Sequence, residues 1–315
     1  MIARWQAAAS GPDLATFETL LRCGRWQSLY RGVYASYTGD PPRECLLWAA
    51  VLRAGEGAAL SHQSAAELDH LTDKTSNVIH VTIDGSRRIK VADQQREMAP
   101  RVILHRSDRI DQARHPARTP PRTRVEETVI DLTQLAVSFD AAFGWLSAGC
   151  GRRLVTPQQL TTAMGMRRRL RWRGEILAAL GTIAEGVHSN LEYRYVRDVE
   201  SAHGLPSARR QARVLRGSRS QYFDNLYSES GVAVELDGQA AHLAEDRWRD
   251  IHRDNGDARS GIITLRYSWA DVTSRPCEVA AEVAAVLRLR GWQGQPRGCG
   301  PRCPAAGPDP RHNGA

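Results

Sequence analysis

The chain has 315 residues, 42% hydrophobic and 25% charged, with a formal net charge of +8. This is the composition of an ordinary folded protein of about two domains and excludes a chain forced into disorder. No apolar run approaches the roughly 20 residues that span a bilayer, and the opening MIARWQAAASGPDL lacks the apolar core of a secretory signal; the expectation is a cytoplasmic protein with no membrane partner.

The positive charge is almost all arginine, Lys74 and Lys90 being the only lysines. Such a surplus suits polyanions, nucleic acid foremost, although scattered solvated arginines account for the composition equally well. LATFETLLRCGRWQSLYRGVYASYTGD reads as a short helix followed by strand, turn and strand, with Gly32 at the turn. A helix and a basic hairpin outline a degenerate winged-helix-like region over residues 1–60, with Arg25 and Arg31 as candidate nucleic-acid contacts. A small structural cap is the plain alternative.

Residues 61–165 read as an α+β region. Ser61 is placed to cap a helix through Ala65, Ala66 and Leu68, and His62 and His70 read as capping or packing residues. NVIHVTIDG and RVILHRSDRI read as strands, HPARTPPRTR as a basic loop with solvated charge, and VEETVIDLTQLA as a helix. Thr156 followed by Pro157 marks another helix start. MRRRLRWRGEILAALGTIAEG is the most basic stretch; residues 166–187 read as a linker or helix with incidental affinity for nucleic acid, through Arg168 and Arg171.

From Ser189 the order becomes α-β-β-β-α-β-α, a single α/β domain over residues 188–292, and Ser189 with Glu192 has capping-box spacing. Residues 293–315 form a Gly/Pro/Arg tail expected to lack fixed structure. Cys23, Cys45, Cys150 and Cys277 are isolated along the chain and read as small buried residues. Cys299 and Cys303 form a C-x3-C pair with His312 beyond, but a zinc site needs about four ligands and no second pair follows, so zinc is not expected.

The densest chemistry is in YFDNLYSESGVAVELDG, Tyr222 to Gly238. If SESG is a four-residue hairpin loop, Tyr227 faces Val232, and the same register sets Asp224 opposite Glu235, with Asp237 on the same face. Acidic residues are depleted in strands and like charges across a ladder repel, so something must offset the repulsion. A solvated acidic face, ion pairs to Arg247 or Arg253, and a divalent metal held by carboxylate oxygens all meet that requirement.

The sequence SNLE, YFDNLY, VAVELDGQAAH, RWRDIHRDN and LRYSW resembles the very-short-patch-repair-related branch of the PD-(D/E)XK, restriction-endonuclease-like nucleases, over about Ser189 to Trp292. GRWQSLYRGVYA, ALSHQSAAELDHL and PPRTRVEETVIDL resemble the AbiEi-type antitoxin region often joined to it. The resemblance implies Mg²⁺, replaceable by Mn²⁺, held by Asp224 and Glu235 with Asp237 nearby, and Glu192 reaching the same site. It implies His242 as a general base or a hydrogen-bond donor to the phosphate, and Arg247 and Arg253 as contacts to phosphate or as supports of the carboxylates. One departure stands out: the family commonly has lysine two residues after the second acid, where this chain has Asp237. The expected function is DNA binding with Mg²⁺-dependent cleavage or nicking, needing no small-molecule cofactor. The alternative is a non-catalytic DNA-binding regulator or antitoxin-like protein with a toxin or other protein partner. A protein-interaction module with purely structural carboxylates is a third reading.

Overall fold

The computed structural model describes residues 1–6, 14–88, 100–216, 219–237 and 261–306. The chain divides into two compact units, Met1–Arg173 and Gly174–Ala315. No helix among the described residues is long and apolar enough to cross a membrane.

In the first unit, β1 (Ile2–Ala3), α1 (Leu14–Arg22), β2 (Gln27–Tyr30) and β3 (Val33–Ala35) come first. The strands form an antiparallel sheet in the order β1-β3-β2, and Gly32, at φ 79°, makes the tight turn between β2 and β3. The helix and hairpin are those expected; β1 is an added strand. Next come α2 (Arg43–Ala54), β4 (Ala59–Leu60), α3 (His62–Leu68), β5 (Val78–Asp84) and β6 (Arg101–Ser107). β5 is the middle strand of a second sheet, antiparallel to β4 and parallel to β6. Its Ile79, Val81 and Ile83 pack in one core with Leu47 and Val51 of α2 and Leu29 and Val33 of the hairpin. The core therefore runs without a break across residue 60. Four helices complete the unit: α4 (Ile110–Ala113), α5 (Val125–Leu135), α6 (Phe139–Gly151) and α7 (Pro157–Gly165). Thr156 and Gln159 make a full capping box at the start of α7.

Two local expectations change. Ser61 stands at the N-cap position of α3, but its hydroxyl does not cap the helix; it accepts from Thr82 Oγ1 at 2.8 Å and contacts His62 Nδ1 at 2.9 Å. The proline-rich loop is not all solvated charge: Arg122 is buried, with its Nε 2.7 Å from Asp69 Oδ1. Its Nη1 donates to the carbonyls of Thr119 and Pro120, so loop charge is spent on holding the loop to the end of α3.

The second unit begins within the stretch read as a linker, where α8 (Arg173–Ala184) buries Ile176, Ala179, Leu180 and Ile183. α9 (Asn190–Arg194) continues directly into a π-helix over Tyr195–Ser201. β7 (Arg209–Arg216), β8 (Arg219–Tyr227), β9 (Val232–Asp237) and β10 (Ile263–Ser268) follow. They form an open mixed sheet in the order β10-β9-β8-β7, with only β10 and β9 parallel. The described elements close with α10 (Trp269–Ser274) and α11 (Pro276–Leu289). The last strand ends at Ser268 because Ser268 and Asp271 make a capping box that starts α10 at Trp269.

Because side chains alternate across a sheet, Tyr227, Val232 and Val234 point one way, into a core with Tyr195, Val199, Val279, Val283 and Leu287. Ala233 and Leu226 point the other way, with Phe223 and Ala212. Tyr195 and Tyr227 join hydroxyls at 2.9 Å inside the first core, and the buried Glu200 of the π-helix pairs with Arg210 of β7. The tail also departs from expectation. Residues 293–306 contain no helix or strand, yet Ala305 is buried in the main core of the unit, with Trp292 and Cys303 packed against it.

Candidate functional site

The hairpin register is the one counted from the sequence: Tyr227 pairs with Val232, Leu226 with Ala233 and Asn225 with Val234. There the backbone ladder between β8 and β9 stops, and Asp224 takes over. Its Oδ2 accepts from the Leu236 N–H at 2.9 Å and its Oδ1 from Gln211 Nε2 at 3.3 Å. Gln211 sits in the left-handed region at φ 42°, in the one interior position of β7 whose pairing to β8 is missing from the register. Thus Asp224 is held at a break in the ladder on both sides by side-chain bonds.

Glu235, the residue before Leu236, is buried and pairs in register with Arg266 of the parallel neighbour β10. Asp237 is half-buried and lies 4.0 Å from Arg266, so this acid, two residues after Glu235, has a cation on the neighbouring strand. Glu192 comes from the first turn of α9. Its N–H donates to the Ser189 hydroxyl at 3.1 Å, while its carboxylate accepts from the His188 N–H at 3.0 Å, one residue outside the expected capping box. Burial pushes the Glu192 carboxyl up, against its hydrogen bonds from His188 and Ser189, and the negative charge of Asp224 adds to the rise. Asp224 is therefore close enough for its charge to disfavour ionisation of Glu192. His242, Arg247 and Arg253 lie outside the described residues.

Of the remaining expected contacts, Arg25 and Arg31 are exposed at the two ends of β2. The Arg171 guanidinium lies 3.6 Å over the Trp172 ring and donates to the Ala136 carbonyl. Arg168 lines a cavity of about 590 Å³ in the first unit, together with Arg106, Arg109, Arg167 and Arg169. Three acids temper this basic wall: Asp108, Glu127 and Asp131. Arg109 pairs with Glu127 at 2.9 Å and Arg167 with both Glu127 and Asp131. Burial pushes the Asp131 carboxyl up, against the pull of Arg167.

Among the described residues, two groups bring three or more ligand atoms within 4.8 Å of one another, and neither is the carboxylate set. One is His62, His80 and His105, of which His62 and His105 line the same cavity: the His62 and His105 rings stack at 3.8 Å, and His80 Nδ1 is 2.9 Å from His105 Nε2. Burial above all lowers these imidazoles, His62 to about 2 and His80 to about 4. Spacing along the chain singles out only His62 and His70; the register of β5 beside β6 sets His80 against Ile103 and Thr82 against His105, a relation that spacing does not display. The other group, His203 with Cys277, Cys299 and Cys303, lies in the second unit.

A scan against family models and a search of curated proteins both return no match to this chain.

Proposed function

We propose that this is a DNA-binding protein whose second unit is a restriction-endonuclease-like domain that hydrolyses phosphodiesters with Mg²⁺. The observation that carries the reading is that Asp224, just past the end of the β8–β9 ladder, accepts from the Leu236 N–H beside the buried Glu235, with the raised carboxyl of Glu192 near enough to feel its charge. Carboxylate oxygens are the donors Mg²⁺ takes, and each oxygen of Asp224 has a second lone pair beyond its one hydrogen bond. Mg²⁺ there would supply an activated water and charge stabilisation at the phosphate. The Leu236 N–H and Gln211 fix the Asp224 rotamer, so the ligand is oriented before metal arrives. Glu192, raised by burial, is suited to take up a proton near the reacting phosphate. In the first unit the exposed Arg25 and Arg31 and the cavity arginine Arg168 are the phosphate contacts of this reading.

A second reading rests on the Asp237–Arg266 approach, where the nuclease pattern has lysine. In it the acids and Arg266 form a structural charge network, and the chain is a DNA-binding regulator with a protein partner such as a toxin. The deciding experiment incubates supercoiled plasmid and mismatched duplex with Mg²⁺, Mn²⁺ or EDTA, wild type beside Glu235→Gln. Metal-dependent nicking that the variant loses supports the nuclease. An inert wild type that still binds DNA supports the regulator.

A further inference from the structure

Counted along the chain, the cysteines offer a zinc ion two ligands; in space, with one histidine, they offer four. Pro276 at the start of α11 places Cys277 in its first turn. After α11 the chain turns at Gly291, at φ 98°, and comes back: the Arg297 N–H donates to the His203 carbonyl at 2.7 Å, and Ala305 enters the core. This return brings Cys299 and Cys303 to Cys277 and to His203, which lies just past the π-helix. Gly204, next to His203, sits at φ 64°, in the left-handed region that favours glycine.

The state of His203 is the decisive detail. The residue is fully buried, and its Nδ1 is 2.9 Å from the Val199 carbonyl oxygen. A carbonyl only accepts, so Nδ1 carries the proton and Nε2 presents a lone pair. That Nε2 is buried without a hydrogen-bond partner, a condition rare enough in folded proteins to need a reason. A histidine that gives one ring N–H to a backbone carbonyl and aims the other nitrogen into a cluster of thiols has the arrangement of a metal ligand with its orienting partner.

The distances agree. The His203 nitrogen and the sulfurs of Cys277, Cys299 and Cys303 all lie within 4.8 Å of one another, and Cys277 Sγ is 3.3 Å from Cys299 Sγ. A tetrahedral zinc with Zn–S bonds of about 2.3 Å sets its sulfurs about 3.8 Å apart, so that pair needs to open by only about half an ångström. All three are free thiols, and 3.3 Å is far beyond a disulfide bond.

The geometry points to a structural Zn²⁺ site formed by His203, Cys277, Cys299 and Cys303, which ties residues 292–306 to the start of α11 and to the end of the π-helix. Three sulfurs and one imidazole in a closed tetrahedron select zinc over the oxygen-seeking Mg²⁺. On binding, each thiol gives up its proton to solvent while His203 binds through the neutral Nε2, and three thiolates with Zn²⁺ leave one net negative charge. The site does not depend on whether the carboxylates of β8 and β9 are catalytic.

The test uses the full chain, purified under reducing conditions without chelator, with metal content measured by mass spectrometry and thiols counted after denaturation. One zinc per chain and six reduced thiols are expected. The Cys299→Ser/Cys303→Ser double variant loses the zinc, whereas Cys150→Ser, in the first unit, keeps it. Replacing zinc by Co²⁺ gives the intense visible bands of a tetrahedral thiolate site in the wild type and in Cys150→Ser, and none in the double variant. Chelation by phenanthroline opens the 292–306 segment to limited proteolysis. A reduced wild type that carries no stoichiometric zinc and gives no tetrahedral Co²⁺ spectrum overturns the site, as does full zinc retention in the double variant. A disulfide among Cys277, Cys299 and Cys303 in freshly purified protein also overturns it.

Discussion

Asp224 supports the strand end in the sheet and, on the nuclease reading, would also hold a metal ion; its substitutions separate the two roles. Its Oδ2 accepts the Leu236 N–H at 2.9 Å where the β8–β9 ladder has ended. A hydrogen bond to a charged group contributes about 1.5–3 kcal/mol. Both residues are half-buried, so water recovers part of that in a variant, and the 3.3 Å bond from Gln211 adds little. Asp224→Ala is therefore expected to cost about 2 kcal/mol, which for a unit of this size lowers Tm by about 8 °C. Asp224→Asn keeps a carbonyl oxygen for Leu236 and removes the charge that opposes Glu192; its cost is expected at about 1 kcal/mol or less. Burial, the larger cause, still holds the Glu192 carboxyl up in that variant, but the total rise is smaller. Urea and thermal unfolding of the two variants, beside plasmid nicking, give the readings needed. If Asp224→Ala is as stable as wild type, the bond to Leu236 does not support the strand end. If Asp224→Asn nicks plasmid at the wild-type rate, the metal role of Asp224 is refuted. A folded, inactive Asp224→Asn beside an active wild type is the outcome the nuclease reading requires.

Three further outcomes are expected. Arg122→Ala strands the buried Asp69 carboxylate and is expected to destabilise the first unit by about 3 kcal/mol; an unchanged urea midpoint would show that the loop is not held by this pair. The imidazoles of His62 and His80 have folded values of about 2 and 4 against an ordinary 6.5, and His105 is lowered in the same sense. Burial leads, the neighbouring rings add for His62 and His80, and Arg167 adds for His62. The unfolded chain takes up these protons first, so the contribution is whole above about pH 6.5 and is lost as pH falls from there through about 4 for His80 and about 2 for His62. His105→Gln is expected to flatten that acid limb in thermal melts, and an unaltered limb counts against the cluster. Finally, replacing Arg25 and Arg31 together by Ala should lower the slope of log K for DNA against log salt by about 0.9 for each phosphate no longer neutralised; fluorescence anisotropy over a salt series measures it, and an unchanged slope removes both residues from the interface.

What was legible in the sequence was local. The four-residue loop after Tyr227 set the register with Val232 by counting alone, but the ladder stops at Asn225–Val234, so the counted pairing of Asp224 with Glu235 gives way to a side-chain bond from Asp224 to the Leu236 N–H. Thr156–Pro157 and Ser189–Glu192 announced helix starts through chemistry acting over three residues. Approaches that depend on chain return were not legible. His203 and Cys303 are far apart in sequence, and nothing in GLP or CGPRC says that the tail folds back. The histidine cluster needed the parallel pairing of β5 and β6, whose connecting residues are not part of any local pattern. Ser61 looked like a cap because the residue type and position were right, yet the hydroxyl found Thr82 of a neighbouring strand instead.

The arginine wealth of the second unit's sheet has one consequence unrelated to nucleic acid. Among the described residues β7 is a lateral edge of an open sheet, and such an edge is a template on which another chain can add a strand. On β7 the exposed Arg209 and Arg213 flank that edge, and Gln211, at φ 42°, interrupts its regular course. An incoming strand would have to strip water from those guanidiniums and match a backbone that does not run straight. The protein thus keeps an apolar neighbour such as Leu215, 69% exposed on the same strand, without offering a flat surface for amyloid-like association.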